Sequence, residues 1–511
     1  MEKELELRLK PHEALSQDCL KRRIASACRL KVQDLAYFKI LRRSIDSRGE
    51  PRFCLRVFAS TEKRKEVKTK IYHDVSKSER VVIVGAGPCG LFAALKLLEY
   101  GLKPVIVERG KPVEERKKDI ALIARNEELN EESNWCFGEG GAGTFSDGKL
   151  YTRSNKRGNI GEVLETFVEF GADEDISIDT HAHIGTDKLS RIIKNIRNKI
   201  TECGGEYHFN SKVVDLLVRD GSVYGVKTAD GSTLEGKAVI LACGHSARDI
   251  YKLFSEKSWL IESKPFALGV RVEHAQEFIN RTQYHTDKYS KLLPAATYSL
   301  AHNIGDRGVF SFCMCPGGMV IPSSTEKGHL VVNGMSSSLR NSPYANSGIV
   351  VSVSEKDVPE YLHYGALSLM RFQEKCEQTM YSDRQVASAQ RISDFVAGKV
   401  SSSLCDSSYP AGLRSADMSD LLPKFISDSL KQGFVAFDKK MKGFVTKDAL
   451  MIGLESRTSS PVRIPRDKDS LQHLQLKNLY PCGEGAGYAG GITSSAMDGI
   501  NAAKKIAGSE E

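Results

Sequence analysis

The residues best placed to do chemistry begin with Gly85-Ala86-Gly87-Pro88-Cys89-Gly90. Alone, glycines at this spacing say little. Here the apolar run Val-Val-Ile-Val at 81–84 stands directly before them and reads as a buried parallel strand. A helix is expected from about Gly87 to Tyr100, and Glu108 ends the next apolar run, 104–107. That is the setting in which such a turn binds the diphosphate of an adenine dinucleotide. Gly85 permits the tight turn, Gly87 lets the backbone approach the diphosphate, and Gly90 lets helix and strand pack closely. Pro88 and Cys89 open the helix, whose free N–H groups and positive end attract phosphate. Glu108 is suited to accept ribose hydroxyls, with Arg109 beside it.

A second group of residues points to FAD rather than NAD. Residues 480–493 read Tyr-Pro-Cys-Gly-Glu-Gly-Ala-Gly-Tyr-Ala-Gly-Gly-Ile-Thr, followed by a helical segment, 494–506. FAD enzymes of the two-dinucleotide-binding type usually return the chain to the first domain through such a segment. Gly483 and Glu484 then face the ribityl or diphosphate region. Gly491, Ile492 and Thr493 start a helix whose positive end favours negative charge on the reduced ring. The loop 138–149 offers further exposed amides at Gly140, Gly141 and Gly143. Val213, on a strand, is expected near the adenine, and Gly244, after the apolar run 238–241, near the cofactor.

Flavin carries the hard chemistry, so the protein needs neither a catalytic triad nor a metal, and the sequence offers neither. Candidate catalytic residues are Arg271, Cys313 and Cys315. Arg271 and Glu273 share one face of a strand, with His274 opposite. Arg271 could bind a substrate carboxylate, and the plainer reading is a buried ion pair. Cys313 and Cys315 flank Met314. A CxC pair could be redox-active, although its short loop strains a disulfide; packing is the plainer role. His245 reads as a hydrogen-bonded structural residue rather than an acid. No second strand–GxGxxG–helix unit follows residue 110, so either the organic substrate reduces FAD directly or NADH or NADPH visits the flavin without its own Rossmann domain.

The elements that must position these residues suggest an α/β protein. A Rossmann-type FAD-binding domain occupies 76–256 and 456–511. A mixed α+β domain, 257–455, is inserted on the substrate side. A small α+β domain, open to a ferredoxin-like fold, precedes them at 1–75. In that first unit Leu5, Leu7 and Leu9 alternate with charges as in a strand, residues 15–30 suit a helix, and 35–41 and 53–57 suit two more strands. Residues 61–70 read as an exposed strand or linker. Further on, a helix is expected at 187–202 and strands at 206–209, 212–219, 223–228, 238–242 and 478–482.

The chain has 511 residues, 41% hydrophobic and 27% charged, which excludes wholesale disorder. The charge-free run Val81–Leu95 is shorter than the roughly 20 residues a membrane span needs. The N-terminus lacks the apolar core of a signal peptide, so a cytoplasmic protein is expected. Twelve scattered cysteines with no CxxC pair fit reduced thiols and no zinc site. The net charge of +8 is uneven: residues 1–70 hold 19 Lys+Arg against 10 Asp+Glu, so the remainder is close to neutral. That basic segment leaves nucleic-acid docking open, but it carries no compact aromatic-basic motif, and a solvated surface is the simpler reading.

Several blocks resemble a known family. They are Phe137-Gly-Glu-Gly-Gly-Ala-Gly-Thr-Phe-Ser-Asp-Gly-Lys-Leu150, Gly244-His245-Ser246-Ala247-Arg248-Asp249, Gly269-Val-Arg-Val-Glu-His274, Phe312-Cys-Met-Cys-Pro-Gly-Gly318 and Cys482 through Thr493. In this order they are similar to the bacterial and organellar FAD-dependent proteins known as NAD(FAD)-utilising dehydrogenases, two-dinucleotide-binding-domain flavoproteins. Cys89 and Cys243 stand where that family commonly has Ser, Ala or Thr. The resemblance implies an FAD-binding fold with an inserted domain and a redox role, and no particular substrate. The expected function is an FAD-dependent oxidoreductase acting on a small molecule by hydride transfer. The competing readings are an FAD-bound RNA-modifying protein and a flavin-bound scaffold or sensor without turnover.

Overall fold

The computed structural model describes residues 1–63, 70–151 and 158–508. Its organising layer is a five-stranded parallel sheet, in the order Leu479–Pro481, Ala238–Leu241, Arg80–Val84, Lys103–Val107, Glu206–His208. The inner strands are apolar because helices or a second sheet cover both faces. The helices Pro88–Glu99 and Ile492–Ile506 pack against each other on one side, joined by Thr186–Glu202. On the other side lies the antiparallel sheet Val213–Arg219, Ser222–Thr228, Thr233–Glu235. The fold is therefore the expected α/β class with a Rossmann-type FAD domain. The short strand Thr233–Glu235 had no sequence signal of its own.

Residues between the two halves of this layer build a seven-stranded sheet, running Ala301–Ile304, Arg307–Cys315, Tyr344–Val353, Phe266–Ala275, Leu450–Glu455, Ala387–Arg391, Leu413–Ser415. Its neighbours are antiparallel except the last pair. The strand Phe266–Ala275 is buried at every position but its last, so both faces are covered. That explains its missing alternation. One register irregularity falls between Phe312 and Cys315, where the strand Arg307–Cys315 leaves its partner; Cys313 there takes a positive φ of 47°. A bulge of this kind re-aims a side chain, and it aims Cys313 at the cavity described below.

The N-terminal unit pairs Glu2–Leu9 and Tyr37–Asp46 on either side of Arg52–Ser60. A ferredoxin-like unit would add a fourth strand; this sheet has three among the described residues. The helix Gln17–Cys28 buries Leu20, Ile24 and Cys28 beneath it and is capped by Ser16. Arg43 reaches across to Asp175 and Asp179. Arg8, Arg23 and Arg56 pair within the unit, with Asp46, Glu13 and Glu4. Part of the basic excess is therefore spent on internal and docking contacts. Residues 64–69 of the expected strand or linker lie outside the described residues.

Candidate functional site

A cavity of about 570 Å³ runs between the parallel sheet and the inserted sheet. Its floor is the first glycine turn. Gly85 has φ +107°, a conformation that L side chains rarely adopt, and its N–H donates to Val107 O at 2.9 Å. A Cβ on Gly90 would strike the Gly85 carbonyl oxygen, so this glycine fixes the approach of helix to turn from behind and is not itself on the wall. Gly87 is the N-cap of Pro88–Glu99, has no side-chain cap, and faces open space: the nearest atom to an added Cβ is the Gly141 Cα at 3.9 Å. The amides at the start of this helix are left for a ligand.

The second helix start behaves the same way. Gly491 is the N-cap of Ile492–Ile506, again without a side-chain cap bond, and nothing lies within 4 Å of a Cβ placed on Gly490 or Gly491. The glycine loop sits between the two. A Cβ on Gly143 would lie 3.1 Å from Ile492 Cγ1 and 3.4 Å from Pro88 Cγ, so the two helix starts adjoin through this residue. Gly141 and Gly143 line the cavity; Gly140 does not, since it is backed by Thr144 and Ile193. Two uncapped helix N-termini on one elongated cavity suit an anionic, diphosphate-bearing ligand, and the residues present fit FAD.

Glu108 is buried at the cavity edge. Its carboxylate accepts the N–H groups of Ala86 at 2.8 Å and of Gly110 and Gly138, each at 3.0 Å. It therefore locks the strand end to both glycine segments, with an acceptor site to spare for a ribose hydroxyl. Arg109 is engaged elsewhere, with Glu132 at 2.6 Å and Asp249 at 3.0 Å, and its guanidinium lies 4.1 Å from the Phe137 ring centroid. Its contribution to the wall is that stacked, paired plane. Val213, Gly244, Gly483, Ile492 and Thr493 also lie on the wall.

Glu484 lies on the wall, where loss of water pushes its carboxyl up to about 7 while Lys264 pulls it back. His245 is also on the wall, its Nδ1 2.9 Å from Ser246 Oγ. Burial, then Arg457 and Arg248, hold it down to about 3, so the ring is neutral and is no resident acid. A second cavity of about 800 Å³ shares Phe310, Phe312, Thr458 and Gly490 with the first and carries Lys264 and Arg307.

The three candidate catalytic residues part company. Arg271 is fully buried off the cavity, paired with Glu455 at 2.8 Å and donating to Asn346 Oδ1 at 2.9 Å and Cys313 O at 2.7 Å. It is the buried ion pair, with Glu455 as partner, and a guanidinium buried off the cavity and already paired does not suit the reading as a carboxylate receptor. Glu273 instead holds Ser408. Cys313 lines the cavity and Cys315 lies behind it. Lys149, Tyr298, Asn333 and Arg457 also reach the wall. They were not singled out from sequence, although Lys149 lies in the glycine-rich loop 138–149 and in the resemblance block ending at Leu150.

Three segments match family models. Residues 79–253 match the pyridine nucleotide-disulphide oxidoreductase model, and residues 265–458 the model for FAD-dependent protein, C-terminal domain-like. Residues 1–57 match a domain of unknown function. A Clostridium beijerinckii protein described as uncharacterized is 39% identical over 510 residues, with 95% of each chain covered. Among solved structures, a geranylgeranyl bacteriochlorophyll reductase-like protein from Thermoplasma acidophilum is 14% identical over 84% of this chain and 77% of its own, at a TM-score of 0.35. An open flavocytochrome c3 fumarate reductase is 16% identical over 85% and 79%, also at 0.35. Neither structural likeness is close enough to carry an argument.

Proposed function

The chain belongs to a family of FAD-dependent proteins and shares a family with its Clostridium relative, and on that premise we propose that it is an oxidoreductase passing hydride between a small-molecule substrate, or NADH or NADPH, and FAD held in the 570 Å³ cavity. The observation that supports this best is the junction at Gly143, where two uncapped helix N-termini adjoin on one cavity. Bound FAD supplies two-electron chemistry. The chain's own residues supply the rest. The N–H groups of Gly87 and Cys89 donate to the diphosphate at the positive end of the helix, and Glu108 takes the ribose. The start of Ile492–Ile506 favours negative charge on whatever ring edge lies against it.

The second cavity is the proposed substrate side, because it meets the first at Phe310 and Phe312, beside the helix start at Gly490. Its aromatic wall with Lys264, beside an Arg307 already paired with Asp357, suits a small molecule that carries both an apolar body and an anionic group for Lys264. Glu484, with its carboxyl near 7, can hold a proton beside that entrance at neutral pH. Anaerobic mixing of the FAD-loaded protein with NADH, NADPH and metabolite pools tests the proposal. Bleaching of the flavin is expected; a flavin that no donor bleaches favours a scaffold or sensor.

A further inference from the structure

Behind the bulge in the strand Arg307–Cys315 lies a cluster of charge that the reading above leaves unused. Lys149 Nζ sits 3.8 Å from Cys313 Sγ and also donates to Met314 O. Arg271 lies 3.5 Å from Cys315 Sγ and donates to Cys313 O at 2.7 Å. Arg340 pairs with Asp147, and Lys149 stands 3.9 Å from the same carboxylate. Arg271 has Glu455. Three cations thus face Asp147 and Glu455, and burial pushes the Glu455 carboxyl up to about 7, so the set has positive charge for a Cys313 thiolate to offset. Other titratable groups that act on the set are Glu484 towards the cavity, Tyr298 towards Arg271 and His183 towards Asp147. The adjoining Cys315 side chain, then the Lys149 and Arg271 charges, hold the Cys313 thiol well below the ordinary value although burial opposes them; the Cys315 S–H itself donates to Cys313 O at 3.5 Å.

Geometry says which sulfur faces which way. Cys313, at its positive φ, lines the proposed FAD cavity, while Cys315 is fully buried behind it. In the other close pair, contact with Cys482 and burial push Cys89 up, and among the described residues neither of the two stands beside a lysine as Cys313 does.

We propose that Cys313 and Cys315 form a dithiol–disulfide couple that exchanges two electrons with FAD, Cys313 being the sulfur on the cofactor side. The inference rests on the proposal that FAD occupies this cavity. In the oxidising direction the Cys315 S–H bond breaks and a Cys313–Cys315 S–S bond forms. The two sulfurs give up two electrons, and FAD takes both together with the Cys315 proton. In the reverse direction reduced FAD returns the electrons and the proton, and the S–S bond opens. Lys149 and Arg271 compensate the thiolate charge in the reduced state, so the couple needs no further base.

The test is an anaerobic dithionite titration of FAD-loaded protein first oxidised with diamide and desalted. Wild type is expected to take up about four electrons per FAD, two for the flavin and two for the disulfide, and Cys315→Ser and Cys313→Ser about two. Peptide mass spectrometry after alkylation is expected to find Cys313 and Cys315 blocked before the titration and alkylated after it. Iodoacetamide labelling of unoxidised wild type gives a readout that needs no variant to fold: Cys313 is expected to label at a pH below that of ordinary thiols. Protein that binds FAD but takes up only about two electrons, with both cysteines alkylatable throughout, overturns the couple alone. Protein that binds no FAD, seen in the spectrum before any reductant is added, overturns the functional proposal and the couple with it.

Discussion

The carboxylate of Glu108 accepts the backbone N–H of Ala86 at 2.8 Å, which ties the end of the second parallel strand into the first glycine turn. The same side chain takes the amides of Gly110 and Gly138. It is therefore a structural keystone of the cavity as well as the proposed ribose acceptor. Glu108→Ala leaves three donors without their acceptor, at about 1–3 kcal/mol for each that stays buried. A lowered apoprotein Tm and an FAD Kd raised at least about tenfold are expected. Glu108→Gln, which keeps one acceptor oxygen, is expected to fall between. Thermal melts and equilibrium dialysis check both.

Gly87 and Gly90 separate binding from folding. Gly87 has ordinary φ and free space, so Gly87→Ala is expected to change apoprotein stability by less than about 1 kcal/mol. Its methyl group intrudes on the amides proposed to hold the diphosphate, and FAD affinity is expected to fall at least about tenfold. Gly90→Ala drives a methyl into the Gly85 carbonyl and is expected to cost about 1–3 kcal/mol of stability. Urea unfolding with and without FAD distinguishes the two. Equal effects of both substitutions on the apoprotein would contradict this division.

Much of this was legible because it is local. The Gly85–Gly90 turn, the apolar runs on either side and Glu108 lie within one strand–helix–strand unit, where spacing alone fixes the geometry. The helix Thr186–Glu202 and the strands Lys103–Val107 and Val213–Arg219 follow the expected segments closely. The rest depended on distant pairing. Arg271 finds Glu455 at a separation of 184 residues, and alternation could only suggest Glu273. Lys149 meets Cys313 because a bulge turns that strand towards a glycine loop, and no period marks a bulge in advance. Gly140 belongs to the same glycine-rich run as Gly141 but is backed by Ile193, which only the packed helix reveals.

The Arg271–Glu455 pair is fully buried. Arg271→Met strands the Glu455 carboxylate and opens the hydrogen bonds to Asn346 and Cys313. A loss of about 3–5 kcal/mol in urea unfolding is expected. A change under about 1 kcal/mol would show that this pair does not hold the inserted sheet together.

Glu484 gives a pH signature. Burial pushes its carboxyl up to about 7 in the folded chain, from the ordinary value of about 4.5. Between those two values the unfolded chain has released the proton that the folded chain still holds, so Glu484 lowers stability progressively as pH rises from about 4.5 to about 7. Glu484→Gln is expected to flatten that part of the apoprotein's Tm–pH curve and to raise Tm most at pH 7 and above. An unchanged slope would mean that Glu484 ionises in the fold as freely as in water.

The claim on which the account turns is that one FAD lies along the cavity joined at Gly143. Equilibrium dialysis of the apoprotein against FAD, with the bound flavin read from its visible spectrum, measures it directly. Uptake of one FAD per chain by wild type, sharply reduced in Gly143→Leu with its far-ultraviolet circular dichroism retained, is the expected result. Wild-type protein that stays colourless, or a folded Gly143→Leu variant that binds FAD as wild type does, would contradict it.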